Sequence, residues 1–261
     1  MSLTVIIPTL LKDRELLTSL LDNLVDDECI AEILVVKNTS ENFEYGNGKV
    51  RLIGDGSNIF VNPSWNLGVR EAKTEYVALL NDDIRFPKNF CSSVLNLFTE
   101  NIGVIGADTG FVINTRDKDN NVIVDIKSVD INSGSSQPYL KSITFRPEDF
   151  GIAMFFRKQD YIPIPEELKV FFGDDWIIHN MRKNGKSNYV ISGLNIYHMG
   201  SLSSSSVSDY AAREHRLYVR LVYSALRRLL YMDETCNHYI FYILGIEISI
   251  NKKYFRKKKA Y

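Results

Sequence analysis

Three groups of side chains in this 261-residue chain have the types and spacing to do chemistry. The first is Asn81-Asp82-Asp83, which directly follows the apolar segment Tyr76–Leu80. Hard divalent cations such as Mg²⁺ and Mn²⁺ prefer oxygen ligands, and they commonly sit between one or two carboxylates and the phosphates of a substrate. Taken alone, two adjacent acids after a strand serve equally as a turn or as the cap of the next segment. The second group, Asp174-Asp175 before Trp176, suits the start of a helix, where an acidic pair caps free backbone N–H groups. The third is His198, in Ile196-Tyr197-His198-Met199-Gly200-Ser201. An imidazole there is a legitimate metal ligand and equally a structural residue. His179, His215 and His238 fall on segments that read as helices and receive no role.

These groups need elements to hold them. Residues 3–8 form a β-branched run of the kind buried on both faces of a parallel sheet, and residues 10–24 carry leucines at helical spacing. Residues 33–36 read as a second strand, 50–53 as a third, 63–73 as a helix with Pro63 in its first turn, and 76–80 as a fourth strand. A helix is expected over 87–98, a strand over 104–107, a helix over 176–183 and late strands over 189–191 and 196–197. Residues 109–147 make a polar excursion with short β segments. Such alternation predicts an open α/β sheet. Ligands of these sheets bind beyond the carboxyl ends of the strands, which is where Asn81-Asp83 falls.

Composition excludes several classes. With 31 basic and 32 acidic residues the net charge is -1, so no global positive field favours nucleic acid. Cys29, Cys91 and Cys236 form no CxxC pair, which argues against a disulfide framework or a cysteine zinc site and leads us to expect a reducing, cytoplasmic compartment. The apolar N-terminus has no basic flank or cleavage site of a signal peptide, and the longest apolar run, 239–246, is far short of the roughly 20 residues that span a bilayer.

The stretch running from Asn58 through Asn62, Asn66-Leu67-Gly68 and Thr74-Glu75-Tyr76 to Asn81-Asp82-Asp83-Ile84 strongly resembles the family 2 glycosyltransferases of the GT-A fold. There an Asn-x-Gly, a short helix and an apolar strand lead into a metal-binding Asp-x-Asp. Val5-Ile6-Ile7-Pro8-Thr9 is similar to the family's opening strand, and Ile33-Leu34-Val35-Val36-Lys37-Asn38-Thr39-Ser40 to its second strand and nucleotide-contacting turn. Phe172-Gly173-Asp174-Asp175-Trp176, followed by Arg182-Lys183-Asn184-Gly185, resembles the family's acidic motif, helix and Gly turn. His198 matches the late His of many members.

The resemblance implies a Rossmann-like, mixed and mostly parallel sheet flanked by helices over residues 1–208. It implies metal-dependent, inverting transfer of a sugar from a UDP-, dTDP- or GDP-linked donor to a hydroxyl of a glycan or lipid-linked acceptor. Pro8, Thr9, Arg14, Asn38, Asn66, Asn81 and Asp82 would line the donor site, Asp83 and His198 would hold Mn²⁺ or Mg²⁺, and Asp175 or Asp174 would be the base. The chain departs from the pattern at Asn81, where an Asp is common, at Lys37, where many members carry an acid, and at Gly173, which replaces a Glu.

Residues 209–261 differ in character: eleven basic against five acidic residues give +6, leaving -7 for the rest. Leu217, Leu221, Ala225 and Leu229 follow helical spacing among Arg213, Arg216, Arg220, Arg227 and Arg228, so a basic amphipathic helical extension is expected. Six serines in residues 201–208 predict a mobile loop, and the basic, aromatic end 252–259 predicts either a solvated tail or peripheral contact with anionic lipid. Two other functions fit less well. A sugar-nucleotide pyrophosphorylase would need a Gly-rich loop after the first strand, and residues 8–13 hold no Gly. A non-catalytic nucleotide-sugar or carbohydrate-binding module on the same fold agrees with the three departures.

Overall fold

A computed structural model describes residues 1–117, 119–200, 208–223, 230–234, 238–243 and 246–251. In chain order its elements are β1 (Leu3–Thr9), α1 (Arg14–Val25), β2 (Ile30–Lys37), β3 (Val50–Ile53), α2 (Val61–Glu71), β4 (Tyr76–Leu80), β5 (Ile84–Arg85), α3 (Phe90–Leu95), β6 (Ile102–Ala107) and β7 (Val112–Asn114). There follow β8 (Tyr139–Ile143), β9 (Ala153–Arg157), α4 (Gly173–Lys183), β10 (Ser187–Ser192), β11 (Ile196–His198), α5 (Ser208–Val222), β12 (Leu230–Glu234), β13 (His238–Ile243) and β14 (Ile246–Asn251).

Eight strands make the central sheet in the order β3-β2-β1-β4-β9-β6-β10-β8. β3, β2, β1 and β4 are parallel, β9 runs antiparallel between β4 and β6, and β8 lies antiparallel at the β10 edge. The central strands are mostly apolar because helices cover both faces: every residue of β4 and β9 is buried, Arg157 at the end of β9 included. On one face α1 buries Leu16, Leu17, Leu20, Leu21 and Leu24, and Asp13 caps its first turn by accepting from the Leu16 N–H at 3.0 Å. On the other, α2 comes so close to β1 that a Cβ on Gly68 would stand 2.3 Å from Cγ2 of Ile6. Glycine at this position is therefore a packing requirement. It keeps the β1–β4 pair and its loops in register with the helix.

A second sheet of three short strands, β5-β11-β7, crosses the carboxyl end of β4. Its pairing sets Ile84 opposite His198 and His198 opposite Asn114. The excursion at 109–147 thus supplies β7 to this small sheet and β8 to the edge of the large one.

The C-terminal region departs from expectation. α5 begins the basic segment, but β12, β13 and β14 then form an antiparallel sheet where a helical extension was expected, and His238 lies on β13. Residues 246–251 alternate Ile with polar residues, a period-2 pattern that fits a strand, and three paired strands can support one another where a lone hairpin cannot. Ala225 and Leu229, the Ser-rich residues 201–207 and the basic tail 252–259 lie outside the described residues. Among the described residues, no helix is long and apolar enough to cross a membrane.

Candidate functional site

The loops after β1, β2 and β4 open onto one cleft of about 230 Å³. Pro8, Thr9, Asn38, Asn81, Asp82, Asp83 and His198 all line it, so seven of the residues singled out in the sequence come together. Thr9 closes β1 and donates its hydroxyl to Oδ2 of Asp82 at 2.6 Å, while its oxygen accepts the Leu11 N–H at 2.9 Å. Burial of the Asp82 carboxyl, with the Asp83 charge beside it, pushes its pKa up to about 6. Asn38 follows β2, donates to Oγ of Ser64 and accepts from the Ile59 N–H. Its amide is held by the α2 side of the cleft.

Asp83 and His198 meet across the two sheets. Nε2 of His198 lies 3.4 Å from Oδ1 of Asp83, and the Met199 N–H donates to the Asp83 carbonyl at 3.0 Å, which ties the β11 end to the β4 end. Burial lowers the affinity of the His198 ring for its proton, but the adjoining Asp83 carboxylate outweighs this and holds the pKa above the ordinary value. A carboxylate and an imidazole at this separation suit two neighbouring positions around an Mn²⁺ or Mg²⁺ ion, whose ligands stand at about 2.0–2.1 Å and hence about 3 Å apart. Among the described residues no set of three or more His, Cys, Asp or Glu side chains is placed to hold a metal.

Two residues singled out in the sequence are placed elsewhere. Arg14 starts α1 and pairs with Glu41 at 2.6 Å on an exposed surface. The amide of Asn66 turns away from the cleft: its oxygen accepts from the Tyr161 hydroxyl at 2.7 Å and the Ile164 N–H at 2.9 Å, and its nitrogen donates to the Ile164 carbonyl at 2.8 Å. It pins the segment before α4 to α2. Lys12, on the β1–α1 loop, lines the cleft and had no sequence signal beyond its place in that loop.

Asp174 and Asp175 line a second cleft of about 310 Å³, which shares Val61 and Asn81 with the first. They are first-turn residues of α4; the cap position belongs to Phe172, in the left-handed region at φ 60°. The expected N-cap pair thus stands at the second and third helical positions, where acids still complement the helix dipole. Gly173 has no room for the Glu of the resembling pattern, since a Cβ there would stand 2.1 Å from Oδ1 of Asn62. Arg146 bridges both acids, Nη1 to Asp174 at 3.2 Å and Nε to Asp175 at 3.0 Å.

One supporting residue gave no sequence signal. Glu214, buried on α5, accepts the backbone N–H groups of Lys169 at 2.8 Å, Val170 at 3.1 Å and Phe171 at 2.7 Å. The Phe172 ring stacks on His215 and Tyr218, at 5.4 and 5.3 Å between centroids. α5 thereby braces the loop that delivers Asp174 and Asp175.

Comparison with known proteins agrees with this geometry. Residues 4–160 match the family described as Glycosyl transferase family 2. No curated protein matches the sequence. Among solved structures the chain is similar to S. aureus TarS 1-349, at 18% identity and a TM-score of 0.52 over 76% of this chain and 60% of that one. It is similar to the mannosyltransferase PcManGT from Pyrobaculum calidifontis in complex with GDP-Man and Mn²⁺, at 15% identity and 0.55 over 83% and 62%. A third is GalNAc-T7 with UDP, GalNAc and Mn²⁺, at 11% identity and 0.57 over 78% and 44%. At these identities the likeness shows the fold, and the chain spans less than two thirds of each of these structures.

Proposed function

The chain belongs to glycosyl transferase family 2 with a GT-A fold, and we propose that it transfers a sugar, with inversion, from a UDP-, dTDP- or GDP-linked donor to a hydroxyl of a glycan or lipid-linked acceptor. The observation that carries this reading is the convergence of Asp83 and His198 at 3.4 Å in a cleft that adjoins the Asp174-Asp175 cleft through Asn81. Structural neighbours in complex with UDP, UDP-GlcNAc and GDP-Man support a nucleotide-sugar donor.

In this reading the loops after β1 and β2, with Thr9 and Asn38, bind the nucleoside, and Asp82, fixed by the Thr9 hydroxyl, faces the donor. Asp83 and His198 would hold Mn²⁺ or Mg²⁺, which when bound supplies positive charge against the diphosphate as it departs. Asp175 or Asp174 takes the proton of the acceptor hydroxyl as its oxygen forms the new bond to the anomeric carbon. The bond from that carbon to the diphosphate oxygen breaks, and the nucleoside diphosphate leaves with its electron pair.

We also propose a cytoplasmic setting at a membrane surface, on the strength of the basic residues 252–259 and their interleaved aromatics.

The Arg146 bridge favours one second reading, a module that binds nucleotide sugars without turnover, because both candidate bases are engaged. The test is a thermal-shift screen with nucleoside diphosphates and their sugars, with and without Mn²⁺, followed by donor hydrolysis. Stabilisation that requires Mn²⁺ together with slow hydrolysis supports the transferase. Stabilisation without hydrolysis across the donor panel supports the module, and no stabilisation by any diphosphate contradicts both.

A further inference from the structure

We propose that the cleft between α5 and the segment before α4 is a subsite for a further sugar ring of the acceptor, so that the acceptor is a neutral glycan of two or more residues. The proposal rests on the reading of the chain as a glycosyltransferase. This third cleft, of about 650 Å³, shares no lining residue with either cleft described above. Its volume falls within the roughly 300–1,000 Å³ of small-molecule sites.

The cleft is a neighbour of the one that holds Asp174 and Asp175. Val61 and Val170 line the acid cleft, and the residues directly before them, Phe60 and Lys169, line the third. The two segments are bonded to each other. The Asn62 N–H donates to the Lys169 carbonyl at 3.1 Å, and Nδ2 of Asn62 donates to the carbonyls of Leu168 and Phe171 at 3.2 and 3.0 Å. A ridge of paired backbone therefore separates the clefts, and a chain molecule with one end at the acids continues over it into the third.

That ridge holds an aromatic ring in place through strain. Phe60 adopts φ 68° and ψ 173°, a region occupied almost only by glycine. Its N–H donates to Oδ1 of Asn58 at 2.9 Å and its carbonyl accepts the Ser64 hydroxyl at 2.6 Å, which maintains the conformation. Strained backbone of this kind clusters at active sites and ligand clamps. Here it sets the Phe60 ring against Tyr210 of α5, with 5.6 Å between centroids and a tilt of 48°, and both residues line the cleft. The face of an aromatic ring is electronegative. The C–H face of a pyranose is apolar and faintly positive, so the two stack.

The polar lining agrees with a sugar. Glu166, Glu167, Lys169 and Arg213 line the same cleft, and among the described residues their side chains make no ion pair. Carboxylates only accept hydrogen bonds, while ammonium and guanidinium groups only donate them. A sugar hydroxyl does both and so meets either kind. Two carboxylates against two cations draw neither an anion nor a cation. Glu214, the remaining charge of the lining, is engaged by three backbone N–H groups. A neutral polyhydroxyl ring suits this surface better than a phosphate or a uronic acid.

Saturation-transfer difference NMR on the full chain tests this. The probes are neutral di- and trisaccharides of glucose, galactose, mannose, rhamnose and N-acetylglucosamine, their parent monosaccharides, and galacturonic acid oligomers. One or more of the neutral oligosaccharides should bind about tenfold more tightly than its monosaccharide. Tyr210→Ala and Phe60→Gly should each remove about tenfold of the oligosaccharide's affinity, as for one lost aromatic anchor, and so erase that preference. Glycine takes up the backbone of residue 60 without strain, and Tyr210→Ala leaves the ridge itself untouched, so the two variants check each other. No neutral oligosaccharide bound more tightly than its monosaccharide, tighter binding of the galacturonic acid oligomers, or equal losses for mono- and oligosaccharide in both variants would overturn the proposal. Failure of the transferase reading would show separately, as absence of donor hydrolysis with Mn²⁺, and the binding preference would still decide what the cleft holds.

Discussion

Nε2 of His198 and Oδ1 of Asp83 stand 3.4 Å apart although one belongs to a three-stranded sheet and the other to the turn after the central strand β4. The Met199 N–H to Asp83 carbonyl bond makes this proximity part of the backbone pairing rather than a chance of side-chain rotation. A cation held between them would sit at the carboxyl edge of the parallel strands, where the backbone of an open α/β sheet leaves room for a ligand. The predictions below follow from that placement and from the elements that maintain it.

Asp83→Ala removes one ligand from a partly exposed position, so the apo protein should melt within a degree or two of the wild type. A ligand at 100 times its Kd stabilises the wild type by about 2.7 kcal/mol, which for a chain of this size is about 2–4 °C per kcal/mol. The variant should lose the whole Mn²⁺-dependent part of that shift. Retention of it in a thermal-shift assay would move the metal elsewhere.

Gly68→Ala tests the packing that holds the Asn66-Leu67-Gly68 helix on β1. The added Cβ would meet Ile6 at 2.3 Å in a fully buried contact. The expected cost is about 1–3 kcal/mol, as for other overpacked cores. Equilibrium denaturation would show it as a lower midpoint with an unchanged slope. A variant as stable as wild type would mean that α2 can slide outward freely.

Glu214→Ala strips the acceptor from three backbone N–H groups of residues 169–171. With about 1–3 kcal/mol for each buried donor left unsatisfied, and partial relief from water, the loss should be on the order of 2 kcal/mol. Limited proteolysis should then cut within residues 163–172, while the shift produced by nucleoside diphosphate with Mn²⁺ persists. Loss of the nucleotide response with no new cleavage would contradict the division of labour between the two clefts.

His179 on α4 has its pKa lowered by burial and by the charges of Lys183 and Arg182. Below its ordinary value of about 6.5 the unfolded chain takes up a proton that the folded chain refuses. Stability present above that pH is therefore lost as the pH falls through the folded-state pKa, below which both states are protonated. Melting curves between pH 8 and 5 should fall less steeply on the acid side for His179→Gln than for wild type. Parallel curves would show that the ring is fully hydrated.

The residues that were legible in the sequence share a physical reason. Residues 5–7 of β1, 33–36 of β2 and all of β4 are buried on both faces and so appear as unbroken apolar runs, and the acids at the end of β4 stand out against them. Asn66 carried the right motif but the wrong role, because periodicity shows that a residue lies on a helix and not which neighbour its amide meets; here it meets Tyr161 and Ile164. Arg146 and Glu214 were not legible: Arg146 lies in a stretch without periodic pattern, Glu214 is one polar residue of a basic helical segment, and each meets its partners only across a long separation in the chain. The C-terminal strands were missed for a different reason. The arginine-rich helical spacing that begins in α5 was carried past its end, over the Ile-polar alternation of β14.

The most direct test is a crystal of the protein grown with Mn²⁺ and a nucleoside diphosphate, measured at the manganese absorption edge. The account predicts a single strong anomalous peak within bonding distance of the Asp83 carboxylate and the His198 Nε2, about 2.0–2.3 Å from each, with diphosphate oxygens completing its shell. A nucleoside diphosphate bound in the cleft with no manganese between Asp83 and His198, or bound outside that cleft altogether, would contradict it.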